Sequence, residues 1–94
     1  MHGVIVQVTI DPTGEEAARK TLHEVVVPMV KGLAGFASGT WLHAVEGDAG
    51  RGVMLFESEE AARAGAEEIR SQGPPPGVPV TIDSVEVYEV LAQA

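Results

Sequence analysis

The chain has 94 residues, six Lys and Arg against fourteen Asp and Glu, and no cysteine. That length suits one domain over residues 1–94, hiding roughly two thirds of its unfolded surface, and a formal net charge of -8 repels phosphate backbones, so no nucleic-acid partner is expected. The lack of cysteine removes disulfides, zinc thiolates and thiol catalysis and fits a reducing cytoplasm, and no membrane span or targeting segment is expected, since the apolar runs are short.

Residues 3–10, GVIVQVTI, are rich in β-branched side chains and end at Asp11-Pro12, which predicts a first strand. Alternation places Val4, Val6, Val8 and Ile10 on one face and Ile5, Gln7 and Thr9 on the other. Thr13 and Glu16 have the spacing of a T-x-x-E capping box, so a helix is expected to start there. Ala18, Leu22, Val25, Val26 and Met29 recur at helical spacing, with Glu15, Arg19, Lys20 and Glu24 elsewhere around the helix. Pro28 removes the bond to the carbonyl of Glu24, which predicts a kink or a tighter last turn before Gly32.

Residues 36–45, FASGTWLHAV, read as a second strand, and EGDAG reads as a hairpin loop before a third strand at residues 52–57. In that third strand Val53 and Leu55 face one way and Met54 and Phe56 the other, as in a strand covered on both sides. Ser58 can cap a second helix that has Glu59 and Glu60 in its first turn. Its inward stripe would be Ala62, Gly65 or Ala66, and Ile69; Glu67 and Glu68 fall on a solvated face. GPPPGVP at residues 73–79 reads as a stiff connecting loop. The last strand spans about residues 80–91, and a bulge near Asp83 or Ser84 would bring Val80 and Ile82 into phase with Val85 and Val87.

Two strand-helix-strand halves joined by a hairpin predict an α+β, ferredoxin-like βαββαβ fold, with a four-stranded antiparallel sheet and both helices on one face. Apolar residues on the open face then call for a second copy of the chain, in a twofold homodimer.

The order of elements, the helix exit LAGF, the strand SGTW and the junction LFESEEAARA resemble those of the dimeric α/β-barrel superfamily, antibiotic biosynthesis monooxygenase-like group, over nearly the whole chain. The resemblance implies pairing into a dimeric α/β barrel and a ligand cleft between helices and sheet. Members include cofactor-independent oxygenases of aromatic polyketides or quinols, and haem-degrading enzymes. Where the haem-degrading members carry an Asn, a Trp and an iron-ligating His, this chain places Gln7, Phe56 and about Ala66; alanine offers iron no donor atom, which argues against haem degradation of that kind.

The candidate catalytic residues are His43, as a base near neutral pH, and Gln7, as a hydrogen-bonding amide in the cleft. Trp41, on the same strand face as His43, could stack a flat ligand; Phe56 and Tyr88 are the other candidate ligand-binding residues. For each there is a plainer reading: a satisfied structural amide, an edge-strand pair, or aromatic packing in a sheet. His23 is expected on the wet face of the first helix and His2 at a frayed chain start. Three scattered histidines have no metal-ligand spacing, so neither metal nor other cofactor is expected. No nucleotide-cradling loop or serine-hydrolase motif is present. Two functions follow: a homodimer that holds a small flat aromatic molecule, with cofactor-independent oxygenation as its chemistry, or a non-catalytic binding or assembly module whose sheet serves dimerisation only.

Overall fold

The computed structural model describes all 94 residues, Met1–Ala94. Four strands, β1 (His2–Ile10), β2 (Phe36–His43), β3 (Ala49–Phe56) and β4 (Val80–Glu89), form one sheet in the order β2-β3-β1-β4 with every neighbouring pair antiparallel. The first helix comprises α1 (Glu15–Thr21), a π-helical turn (Leu22–Val26) and α2 (Val27–Lys31); the second is α3 (Glu59–Gln72). This is the ferredoxin-like α+β arrangement read from the sequence. The strand boundaries differ by more than one residue at three ends: β2 stops at His43, β3 begins already at Ala49, and β4 stops at Glu89.

Antiparallel register sorts the side chains into two layers, because residues paired across strands project to the same face. Val4 pairs with Met54 and Val87, and Val6 with Gly52 and Val85, so these residues face the helices. The register slips between Gln7, opposite Ser84, and Val8, opposite Ile82, which leaves Asp83 as the extra residue of a bulge. That bulge turns Ile82 to the same face as Val85 and Val87, as expected from their conflicting phase.

The core centres on Phe56, Met54, Val4 and Val30, all essentially inaccessible to solvent. Phe36 meets Phe56 edge to face, with ring centres 5.9 Å apart and planes at 81°. Over this floor α3 lies close, because the face it buries consists of Ala62, Gly65, Ala66 and Ile69. Ser58 accepts a hydrogen bond from the Ala61 amide at 3.1 Å and so caps α3 as predicted. The Arg63 guanidinium one turn along holds the Glu59 carboxyl below its ordinary pKa.

The first helix departs from expectation at its start and in its middle. Asp11, rather than Thr13, caps the entry: its carboxylate accepts from the Thr13 amide at 2.9 Å and the Thr13 hydroxyl at 2.8 Å. The backbone donor is the larger of the effects that lower the Asp11 pKa. No capping box forms, because Pro12-Thr13-Gly14 makes a separate 3₁₀ turn and α1 starts only at Glu15. Before Pro28 the helix first widens, the Val27 amide reaching back five residues to the Leu22 carbonyl, and its last turn then tightens as expected, with the Gly32 amide on the Met29 carbonyl at 3.1 Å. A proline cannot donate to the turn below it, and an i→i+5 bond is one way to absorb the missing link. His2 is likewise not frayed; it belongs to β1, opposite Phe56 and Glu89, with Nε2 3.6 Å from Glu59.

A Cβ added at Gly65 would lie 2.6 Å from the Phe56 ring. Gly65→Ala gains up to about 1 kcal/mol of helix propensity but overpacks a site where the ring cannot yield, at about 1–3 kcal/mol. The expected outcome is net destabilisation by about 1 kcal/mol or more, read as a lower urea midpoint; an unchanged or higher midpoint would contradict the close seating of α3.

Candidate functional site

The two helices stand at different heights above the sheet. The first helix buries only Val30 completely, within α2, and none of its residues upstream. A cavity of about 760 Å³ lies beneath it. Leu22, Val26 and Met29 from the helix, and Val6, Val8 and Trp41 from the sheet, line its apolar body. The connection after α3 supplies further wall through its prolines Pro74, Pro75 and Pro76, and Asp11 donates its amide to the Pro79 carbonyl at 2.9 Å, tying this loop to the end of β1.

Trp41 and His43 project from β2 into this space, two residues apart on one face. Trp41 is paired with Gly52 and His43 with Gly50. The indole lies along the sheet because glycine leaves it room. A Cβ at Gly52 would be 3.2 Å from the pyrrole edge of the ring, and one at Gly39 would be 2.7 Å from its benzo edge. A half-buried aromatic plane therefore forms part of the cavity floor.

Polar groups gather where β2 ends and α1 begins. His43 Nδ1 lies 3.7 Å from Glu15 Oε1, and Arg19 Nη2 lies 3.2 Å from the same oxygen, with all three residues lining the cavity. Glu15 and Arg19 were read from the sequence only as positions off the apolar stripe. Their spacing is that of an ordinary i,i+4 surface pair, and only the sheet register brings His43 over them.

The other candidates lie elsewhere. Gln7, expected in the cleft, points to the opposite sheet face, since Val6 and Val8 on either side of it face the helices and its partners are Arg51 and Ser84. Phe56 is fully buried in the core and offers no surface to a ligand. Tyr88 also lies on the outer face, opposite Gly3 and about half exposed. The neighbouring Glu86 charge raises its phenol above the ordinary pKa of 10.0. His23 is exposed at the cavity rim. Ala66, to which the family resemblance assigns an iron ligand, is a fully buried methyl group without a donor. A haem held from that position does not fit this chain.

Solved structures share this ferredoxin-like fold across nearly the whole chain. The monooxygenase from the gene ActVA-Orf6 of Streptomyces coelicolor, in complex with nanaomycin D, is 18% identical with a TM-score of 0.64, over 99% of this chain and 89% of that one. The haem-degrader MhuD of Mycobacterium tuberculosis, with two haems bound in its active site, is 24% identical with a TM-score of 0.67 over 98% of both chains. The protein Rv0793 of the same organism is 21% identical with a TM-score of 0.66, over 99% of this chain and 97% of that one. No family model matches the sequence, and no curated protein does so.

Replacing Gly52 by Val places branched carbons where the indole lies. The expected result is a shifted emission maximum of Trp41, the sole tryptophan, with a stability loss of about 1–3 kcal/mol. Emission identical to that of the parent protein would mean that the ring does not rest on Gly52.

Proposed function

We propose that this chain holds a small, flat organic molecule in the cavity beneath the first helix and supports its cofactor-independent monooxygenation. The carrying observation is the cavity itself: at about 760 Å³ it has the size of ordinary ligand sites, which are mostly apolar with a few placed polar groups. Trp41 supplies a stacking plane and His43 a base beside it. The ligand nanaomycin D of the Streptomyces monooxygenase and the two haems of MhuD support a flat ligand class for this fold.

The chemistry suits an electron-rich phenol or dihydroquinone with a free ring C–H. His43 removes the phenolic proton, and the ring carbon joins dioxygen through a new C–O bond as a hydroperoxide. Cleavage of the O–O bond with loss of water leaves a quinone, so that one oxygen atom enters the product and the other leaves as water. The protein contributes orientation, a water-poor cavity and the base. The rival module, needed for dimerisation alone, would have a filled cleft, and the open cavity counts against it.

The reading includes a twofold homodimer formed through the outer sheet face. Ile5, Val53 and Leu55 form the half-buried centre of that face, with Leu42 and Tyr88 more exposed beside them. It is not uniformly apolar, because Ser38, Thr40, Gln7, Arg51 and Glu86 share it. A twofold axis brings such a patch against itself, covering its apolar centre and letting Arg51 meet acidic groups of the other copy.

Quinols with a free ring position should quench Trp41 fluorescence saturably and consume oxygen. His43→Ala is expected to slow oxygen uptake about 100-fold or more, at the low end of what a positioned base contributes; equal rates for the two proteins would end the enzymatic reading. Sedimentation equilibrium at micromolar concentration should give twice the chain mass, and Val53→Lys should halve it. A parent protein of single-chain mass would remove the dimer.

A further inference from the structure

We infer that Glu15 is a positioning residue for His43: its carboxylate holds the imidazole proton on Nδ1 and leaves Nε2 as the basic nitrogen of a ring lining the cavity. The catalytic consequence rests on the function proposed above, but the placement of the proton does not.

A neutral imidazole has one N–H donor and one lone-pair acceptor, and an ionised carboxylate can only accept. With Glu15 Oε1 3.7 Å from Nδ1, the tautomer bearing its proton on Nδ1 directs a donor at the carboxylate, whereas the other directs a lone pair at a negative charge. The carboxylate facing Nδ1 thus decides which ring nitrogen carries the proton. Glu15 is the one carboxylate within ion-pair range of this ring. The distance exceeds a hydrogen bond, as is common for catalytic contacts before a ligand is in place.

Two features fix Glu15 for this task. It is the first residue of α1, immediately after the 3₁₀ turn capped by Asp11, so its backbone is anchored where the chain leaves β1. Arg19, one turn along, donates to Glu15 Oε1 at 3.2 Å and restrains the carboxylate from the helix side. As a contribution to stability the pair means little, since all three side chains are partly exposed and water screens such pairs. What the arrangement supplies is the base-and-orienter relation: a nitrogen that takes the proton, and a carboxylate behind the ring that fixes its orientation.

The test is the ¹⁵N NMR spectrum of the imidazole of His43 in the full chain, without ligand, at a pH where the ring is neutral. Wild-type protein should show the proton on Nδ1. Glu15→Ala should lose that preference and move the population toward the Nε2–H form, and Glu15→Gln, whose amide oxygen still accepts, should restore it at least in part. Circular dichroism confirms that the helices persist in each variant. A wild-type ring protonated on Nε2 overturns the inference by itself, whether or not any variant folds; so does a folded Glu15→Ala with an unchanged tautomer. Oxygen uptake is a separate reading, so a protein without oxygenase activity but with an Nδ1–H imidazole sinks the proposed reaction and leaves the role of Glu15 standing.

Discussion

The unequal heights of the two helices govern the rest of the molecule. One sheet face must be covered by two helices, and they cover it with side chains of very different size. On α3 the buried face is Ala62, Gly65, Ala66 and Ile69, which lets the backbone come down onto Phe56 and Met54. On the first helix the corresponding side chains are Leu22, Val26 and Met29, which reach the cavity without filling it. A helix pressed to the sheet on both sides would give a tighter core, since interiors normally pack to crystal-like density. This chain is closed on one side and open on the other, and its cavity follows from that asymmetry.

Local backbone irregularities hold the open side in place. The π turn precedes Pro28, and of the first helix only Val30 in α2 is fully buried, with Val26 and Met29 packed beside it against the core. At the far end the cap by Asp11 fixes the start of the helix, and the same residue's amide is bonded to Pro79, so the proline-rich loop cannot drift away from the sheet. A π turn and a proline-rich wall both lack regular backbone bonding, and both border the cavity. Irregular backbone of this kind is commonly found next to functional sites.

Much of this architecture was legible in the residues. Alternation in β1 and β3, the Ser58 cap, the small-residue stripe of α3 and the bulge at Asp83 are all short-range patterns, each fixed by a few neighbouring side chains. The site was legible only in part. Trp41 and His43 share a strand face by period-2 alternation, and this survives folding. Gln7 was misplaced although the same alternation set it opposite Val6 and Val8; those valines form the oilier face and therefore take the helices, which carries the amide to the other side. Phe56 was assigned to a ligand although the alanines of α3 leave room for a large ring beneath them. Glu15 and Arg19 could not be found along the chain, because their meeting with His43 depends on where β2 ends relative to the first helical turn, a matter of tertiary register.

The position of the charged cluster also has an energetic reason. Placed at the floor of the cavity, beside Val6 and Met54, an ionised Glu15 would lose its hydration, at several kcal/mol for each buried ion. Placed at the mouth, it remains partly in water while the ring it faces is shared between water and cavity. The arrangement is then nearly neutral for folding, and it still directs one nitrogen of His43 rather than the other. Trp41, which carries no charge, occupies the deeper position, where an aromatic plane gains most from leaving water. Apolar area in the body and charge at the rim is the arrangement that a marginal core of this size can sustain, because it places the aromatic surface where burial helps and the ionisable groups where burial would be costly.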